Sequence, residues 1–209
     1  MMAENRMDDF IKVLSSAEPV PGGGGASGYA AAIGMALGSM VANLTTGKKK
    51  YAEYQEEIDG LLVKAESITT ELMEFMDKDA EAFEPLSKAY GLPKSTEEEI
   101  TVREEIMAKA LKDASEAPLA LMAKILEALE VILRLSEIGS RIAISDAGVG
   151  AQMCKAALNG ASLNVFINTK LMRDKGLAEE MNAKADAMLA KGNVMADEAY
   201  DNVVKAIRG

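Results

Sequence analysis

Histidine and tryptophan are absent from this chain of 209 residues, and Cys154 is its one cysteine. Without histidine the chain has no Ser-His or Cys-His nucleophile and no histidine-ligated metal. A single cysteine forms neither an internal disulfide nor a metal cluster, which favours a reducing, cytoplasmic setting. Acid–base chemistry therefore falls to Asp, Glu, Lys or Tyr, and no metal site is predicted.

Basic residues are also scarce, with 23 against 33 acidic ones, so the net charge is −10. This balance argues against nucleic acid or an anionic membrane as a partner, because both are bound by basic surfaces. The five prolines and 4% aromatic content leave a chain dominated by Ala, Leu, Met, Glu and Lys. These are strong helix formers, and the alternation typical of strands is nearly missing. The composition predicts an all-α fold.

Glycines, prolines and capping residues divide the chain into one short helix followed by about five long ones. The short helix is predicted over residues 7–16, with Phe10, Val13 and Leu14 facing inward. The long helices are predicted over 26–46, 53–90, 95–138, 145–173 and, after a turn at 175–176, up to 207. Residues 21–25 are predicted to be a loop, Ser95 and Glu98 a capping box, and Pro118 a kink. Short connections favour antiparallel neighbours, so residues 1–209 are predicted to form one up-and-down bundle.

A run without charged residues extends from Pro19 to Gly47. Its central part is long enough to span a bilayer. However, it is rich in Gly, Ala, Ser, Asn and Thr, so its membrane insertion would be marginal, and no basic segment precedes it as in a signal peptide. Ala30, Gly34 and Gly38 are spaced four apart, which lets helix backbones approach closely. We interpret the run as a helix buried in the bundle or facing a dimer partner, not as a membrane span.

Two motifs flank this helix, and each has a structural and a functional interpretation. Glycines before a helix form a flexible hinge, or they let the backbone approach a ligand at the helix N-terminus. Lysines after a helix complement its dipole, or they clamp an anionic small molecule. The glycines are Gly22, Gly23, Gly24 and Gly25, and the lysines are Lys48, Lys49 and Lys50.

Asp79 is predicted to lie on the apolar face of its helix. With Leu72 placed at 0° and about 100° per residue, Asp79 falls at about −20°, between Phe75 at about −60° and Met76 at about 40°. A carboxylate directed into a core is costly unless it is paired or used. Asp79 is therefore either half of an ion pair between helices or an acid–base group. Burial would raise its pKa and a neighbouring lysine would lower it, and the sequence is compatible with both.

Three polar residues mark the helix predicted over 145–173. Asp146, in the segment SDAG at its start, is either an ordinary N-cap group or a second catalytic carboxylate. Asn164 and Asn168 lie one turn apart, where they reach a polar ligand or cap a neighbouring element.

Six motifs follow one another along nearly the whole chain. They are PGGGG at 21–25, GSMVANLTTGKKKY at 38–51, DAEAF at 79–83, LPKSTEEE at 92–99, SDAGV at 145–149 and LNVFIN at 163–168. In this order they resemble the cyclodeaminase/cyclohydrolase family of folate enzymes. That family includes the C-terminal half of formiminotransferase-cyclodeaminase and bacterial methenyltetrahydrofolate cyclohydrolases.

The resemblance implies a helical homodimer that hydrolyses 5,10-methenyltetrahydrofolate to 10-formyltetrahydrofolate. The substrate is already a cation, so the reaction needs a carboxylate but no metal, and no cofactor beyond the tetrahydrofolate itself. Asp79 and Asp146 are the expected catalytic residues. Lys48 and Lys49 are expected to bind the glutamate or polyglutamate tail.

The resemblance also implies that the glycines at 22–25 close over the pterin and that Asn164 and Asn168 contact the substrate. Ser140 stands where the family often has Asn, which alters the contact expected from the loop 139–142. Two alternatives remain: a formiminotetrahydrofolate cyclodeaminase that releases ammonia, and a non-catalytic folate-binding dimer. A chain without a formiminotransferase half favours the hydrolase, and the presence of Asp79 favours an enzyme.

Overall fold

The structure, a computed structural model, describes residues 6–209 and has six α-helices and no strand in that range. The predicted all-α bundle of five long helices is confirmed. A 3₁₀ helix, Lys49–Tyr54, precedes the second long helix. The α-helices are α1 (Met7–Leu14), α2 (Gly23–Asn43), α3 (Gln55–Tyr90), α4 (Glu97–Ile138), α5 (Ile144–Leu171) and α6 (Lys175–Arg208).

Helices α4 and α5 hold the bundle together. α4 packs against α2, α3, α5 and α6, and α5 packs against α2, α4 and α6. The centre of the core includes Ile125, Leu129 and Ile132 of α4, none of which is exposed to solvent. Burying such a side chain contributes about 1.5–3 kcal/mol, so the apolar stripe of α4 is a main source of stability.

Helix α2 is buried because its small residues let neighbouring helices come close. A Cβ atom on Gly34 would lie 2.8 Å from the carbonyl oxygen of Gly150 in α5, and one on Gly38 would lie 3.0 Å from Ile132 in α4. These contacts confirm the prediction for Gly34 and Gly38, whereas Ala30 is half-buried at the edge of the core. α2 is long and apolar enough to cross a membrane, yet 56% of its apolar stretch is buried inside the bundle.

The glycine run is helical, so the loop prediction was wrong for three of its residues. Gly23, Gly24 and Gly25 form the first turn of α2, and the carbonyl of Gly22 accepts the N–H of Ala26 at 3.0 Å. Glycine has a low helix propensity. Here it is outweighed by the close contact of Gly24 with Asp79 of α3.

The start of α4 has a capping box one residue later than predicted. The N–H of Glu99 donates to Oγ1 of Thr96 at 3.2 Å, and the N–H of Thr96 donates to Oε2 of Glu99 at 3.1 Å. Ser95 and Glu98 are therefore not the pair. The 3₁₀ turn similarly moves the start of α3 to Gln55.

Two further local predictions were wrong. Lys175 begins α6 instead of forming a turn, because the Asp174 carboxylate accepts the N–H of Leu177 at 3.0 Å and caps the helix. In α1, Val13 is 40% exposed and does not face inward. Phe10 is buried, with its ring 5.2 Å from that of Tyr29, and Leu14 is half-buried.

Candidate active site

A cavity of about 130 Å³ lies beside the N-terminus of α2, between that helix, α3, α4 and α5. It brings together six of the ten residues that the sequence predicts for the site. These residues come from distant parts of the chain. Because α3 and α5 both run antiparallel to α2, their later residues lie beside the N-terminus of α2. They are Gly22, Gly23, Gly24, Asp79, Asn164 and Asn168.

Asp79 lies directly against α2 because Gly24 has no side chain. A Cβ atom on Gly24 would overlap the Asp79 carboxylate. The backbone N–H of Gly25 donates a hydrogen bond to that carboxylate. The N-cap residue of α2, Gly22, has no side chain that could accept a hydrogen bond from the first turn. The Asp79 carboxylate of α3 accepts one instead, and it lies at the positive end of the helix dipole.

Burial raises the pKa of the Asp79 carboxyl above its ordinary value, although the hydrogen bond from Gly25 acts in the opposite direction. None of the ion pairs formed within residues 6–209 includes Asp79. The ion pair considered from the sequence is therefore absent from this part of the chain. A carboxylate with a raised pKa at a cavity is typical of an acid–base group.

Asn164 and Asn168 reach the cavity from α5, one turn apart. The Nδ2 of Asn164 donates to the carbonyl of Gly160 at 3.1 Å. The Nδ2 of Asn168 donates to the carbonyl of Ala114 in α4 at 2.8 Å. Asn168 thus caps a carbonyl of a neighbouring helix, as one of the two interpretations expected, and it also lines the cavity. Contact of Asn164 or Asn168 with a ligand stays a prediction.

Lys48, Lys49 and Asp146 lie at the opposite end of the bundle. The lysines follow the C-terminus of α2, whereas the cavity lies at its N-terminus. Because α2 has 21 residues, these two ends are roughly 30 Å apart. The Nζ of Lys48 donates to Oγ of Ser140 at 3.2 Å. Asp146 lies in the first turn of α5, whose N-cap is Ala143, so it is not the N-cap group. Within one chain, the structure does not bring these three residues to Asp79.

Tyr51 and Arg141 extend this second cluster, and sequence reasoning missed them. The N–H of Arg141 donates to the Tyr51 hydroxyl at 3.0 Å. Burial acts to raise the pKa of Tyr51, but hydrogen bonds with Arg141 and Ser140 and the charges of Lys50 and Arg141 outweigh it, so the pKa is lowered. The sequence held one indication that Tyr51 belongs to this cluster, since it directly follows the three lysines.

Sequence reasoning also missed apolar residues of the cavity wall. Phe83 follows Asp79 by one turn on the same stripe of α3, and Ile167 lies between the two asparagines of α5. The helical spacing of these two residues relative to Asp79 and the asparagines was the sequence feature that could have indicated their place in the wall. Pro19, Val20 and Ala114 complete the wall, and none of them follows from a pattern in the sequence. Within residues 6–209, no three His, Cys, Asp or Glu side chains are grouped to hold a metal ion.

Alanine substitutions at two adjacent glycines test the contact between α2 and α3. We expect Gly24→Ala to lower the free energy of unfolding by about 1–3 kcal/mol, because the new methyl group displaces the Asp79 carboxylate. Gly23→Ala is the matched control: its Cβ would meet Asn164 at an ordinary 3.6 Å. Its stability should stay within about 1 kcal/mol of wild type. Chemical denaturation measures both, and equal stabilities would contradict the close contact.

A bundle of five long helices with a half-buried carboxylate at a glycine-lined cavity, and no ion pair to that carboxylate within residues 6–209, defines a helical protein with a candidate acid–base site. The chain belongs to the formiminotransferase-cyclodeaminase family, whose sequence profile matches residues 6–187. The family inferred from the six motifs is thereby confirmed.

Named relatives fall into two groups. The chain is 38% identical over 203 residues to methenyltetrahydrofolate cyclohydrolase of Methylorubrum extorquens, covering 97% of this chain and 98% of that protein. It is 32% identical over 180 residues to formimidoyltransferase-cyclodeaminase of Gallus gallus, covering 86% of this chain but 33% of that longer protein. The crystal structure of formiminotetrahydrofolate cyclodeaminase from Thermotoga maritima matches with a TM-score of 0.88 at 26% identity, over 99% of this chain and 100% of that one.

Proposed function

We propose that this protein hydrolyses 5,10-methenyltetrahydrofolate to 10-formyltetrahydrofolate in the cytoplasm. The observation that carries the proposal is the Asp79 carboxylate, unpaired by any basic residue within 6–209 and lining the cavity with a raised pKa. The 38% identity to a methenyltetrahydrofolate cyclohydrolase over nearly the full length of both chains supports it. The buried free thiol of Cys154 is compatible with a reducing compartment.

The proposed chemistry uses Asp79 as a proton acceptor. Water adds to the electrophilic carbon between N5 and N10 of the substrate, and the carboxylate takes a proton from that water. The bond from this carbon to N5 then breaks, N5 takes up a proton, and the formyl group stays on N10. One proton is released overall. While ionised, Asp79 also stabilises the positive charge of the bound substrate.

The cavity accommodates only part of such a ligand. Its volume of about 130 Å³ is below the roughly 300–1,000 Å³ typical of pockets for drug-sized molecules. It can therefore take the reacting end of a folate, and the remainder must lie on a surface outside it. The basic residues suited to a glutamate tail lie roughly 30 Å away in the same chain, at the far end of α2.

A second copy of the chain would supply that surface. An uncharged face runs along the outside of α2 and α5, where Met40, Leu44, Leu163 and Ile167 are 48%, 40%, 67% and 63% exposed. Ile167 also lines the cavity, so the face is continuous with it. A two-fold axis across α2 would pair this face with itself and run the two helices antiparallel. Lys48 of one protomer would then approach the Asp79 cavity of the other, in a homodimer.

The alternative activity is formiminotetrahydrofolate cyclodeaminase. Its support is the structural match to the Thermotoga maritima cyclodeaminase along the whole chain. In that reaction N10 attacks a formimino carbon and ammonia leaves, and the same carboxylate could take the proton from N10. We favour the hydrolase because the hydrolase relative has the higher sequence identity over both full lengths.

One assay separates these functions. Purified protein is mixed with 5,10-methenyltetrahydrofolate and the loss of its ultraviolet absorbance is followed, beside ammonia release from 5-formiminotetrahydrofolate. We expect absorbance loss well above the spontaneous rate and no ammonia. Ammonia release would favour the cyclodeaminase, and folate binding without either reaction would identify a carrier.

The lysines are tested by steady-state kinetics. We expect Lys48→Ala to raise KM and leave kcat nearly unchanged, because a remote anion contact contributes equally to ground-state and transition-state binding. The rise should be larger for polyglutamylated than for monoglutamylated substrate, and KM should increase with salt. Lys88→Ala, an exposed lysine paired with Glu84, is the control. Equal effects on both substrates would contradict binding of the tail by Lys48.

A further inference from the structure

Pro118 lies in the interior of α4 and is buried. In a helix, the N–H of residue 118 would donate to the carbonyl of residue 114. Proline has no N–H, and its ring pushes against that carbonyl. The carbonyl of Ala114 therefore lacks its helical partner, and the Nδ2 of Asn168 donates to it instead, at 2.8 Å.

This contact fixes which way the Asn168 amide faces. A carbonyl oxygen only accepts hydrogen bonds, so the nitrogen of the Asn168 side chain must be the atom that faces α4. The oxygen, Oδ1, is then turned away from Ala114. No donor within residues 6–209 bonds to this oxygen, and Asn168 lines the same cavity as Asp79. The cavity that Asp79 lines is thus provided with a neutral acceptor from Asn168 as well.

We propose that Pro118 is a positioning residue for the site. By freeing the carbonyl of Ala114, it holds Asn168 with Oδ1 available to accept a hydrogen bond from an N–H group of the ligand. The identity of that ligand as a reduced folate rests on the proposed function, whereas the orientation of the amide rests on the contacts within the protein.

A double-mutant cycle tests whether Pro118 acts through Asn168. We expect Pro118→Ala to lower kcat/KM about two- to tenfold, the value of one hydrogen bond. It should not lower the melting temperature, because alanine restores the helical N–H. In the Asn168→Ala background the same change should have no further effect on kcat/KM. Pro85→Ala is the control, since Pro85 is also inside a helix but is exposed and outside the cavity.

A second measurement needs no turnover. In the free protein, nuclear magnetic resonance of the Asn168 side-chain amide should show slow proton exchange, and Pro118→Ala should speed it. Equal losses of kcat/KM in both backgrounds, or no loss in either, would overturn the proposal. If the wild-type protein turns over no folate, the proposed function fails. The positioning role is then tested by proton exchange of the Asn168 amide alone, and unchanged exchange in Pro118→Ala would refute it.

Discussion

Asp79→Asn is expected to lower kcat by about 10²–10⁴-fold, the usual contribution of a general base. The amide has nearly the same shape as the carboxylate, and its oxygen still accepts the N–H of Gly25. It cannot take a proton from water, and this loss lowers kcat. It also lacks the charge that attracts the cationic substrate, and this loss weakens binding. Substrate binding should be changed far less than kcat. Glu81→Gln, an exposed change two residues further along α3, is the control.

The stability of the same variant separates catalysis from scaffolding. Because the pKa of Asp79 is raised in the folded state, the ionised carboxylate makes the fold less stable at pH values above that pKa. Asp79→Asn should therefore melt at or above the wild-type temperature at neutral pH. Any gain should start to decline as the pH falls through the raised Asp79 pKa and should be lost only below the ordinary pKa of an aspartate. A broken buried ion pair would instead cost about 3–5 kcal/mol.

The wild-type pH profile gives an independent check. Protonation of Asp79 removes the base, so kcat/KM should fall as the pH drops through its raised pKa and stay level above it. Asp79→Asn should lose this limb. A variant that melts much earlier but turns over normally would show that Asp79 is scaffold, and Asp146 would then become the leading catalytic candidate.

Part of this site followed from helical periodicity alone. The angular position of Asp79 among Leu72, Phe75 and Met76 predicts that it faces inward, and the structure agrees. The spacing of Asn164 and Asn168 likewise places both on one face of α5. Periodicity is sufficient here because α3 and α5 are regular over many turns, so the direction of a side chain depends on its residue number.

Other features could not be predicted because they depend on contacts between helices. The glycine turn is helical since Asp79, from another helix, occupies the space beside Gly24. The Asn168 amide is oriented by a carbonyl that Pro118 frees 50 residues earlier in the chain. Neither partner is recognisable before the packing of α2, α3, α4 and α5 is known.

The separation of the lysines from Asp79 was, in contrast, available from the sequence. A helix predicted over residues 26–46 has a rise of about 1.5 Å per residue, so its two ends lie roughly 30 Å apart. The glycine run and the lysines therefore cannot meet the reacting end of one ligand within one chain. This distance is the reason for proposing that a partner protomer completes the site.

Heterodimers of two defective variants provide the sharpest test of that proposal. One protomer carries Asp79→Asn, the other carries Lys48→Ala together with Lys49→Ala, and two affinity tags isolate the mixed dimer. If each site takes Asp79 from one protomer and the lysines from the other, one of the two sites is fully intact. At substrate concentrations below KM, the heterodimer should then reach about half of wild-type kcat/KM, well above either parent homodimer.

The control pairs Asp79→Asn with Asn168→Ala, two residues of the same cavity. Each site of that heterodimer retains one defect, so its activity should not exceed half that of the Asn168→Ala homodimer. Sites built within single chains would give a different result for the lysine pair, namely half the activity of the double-lysine variant. That outcome would contradict a shared site, because each site would then take Asp79 and the lysines from the same chain.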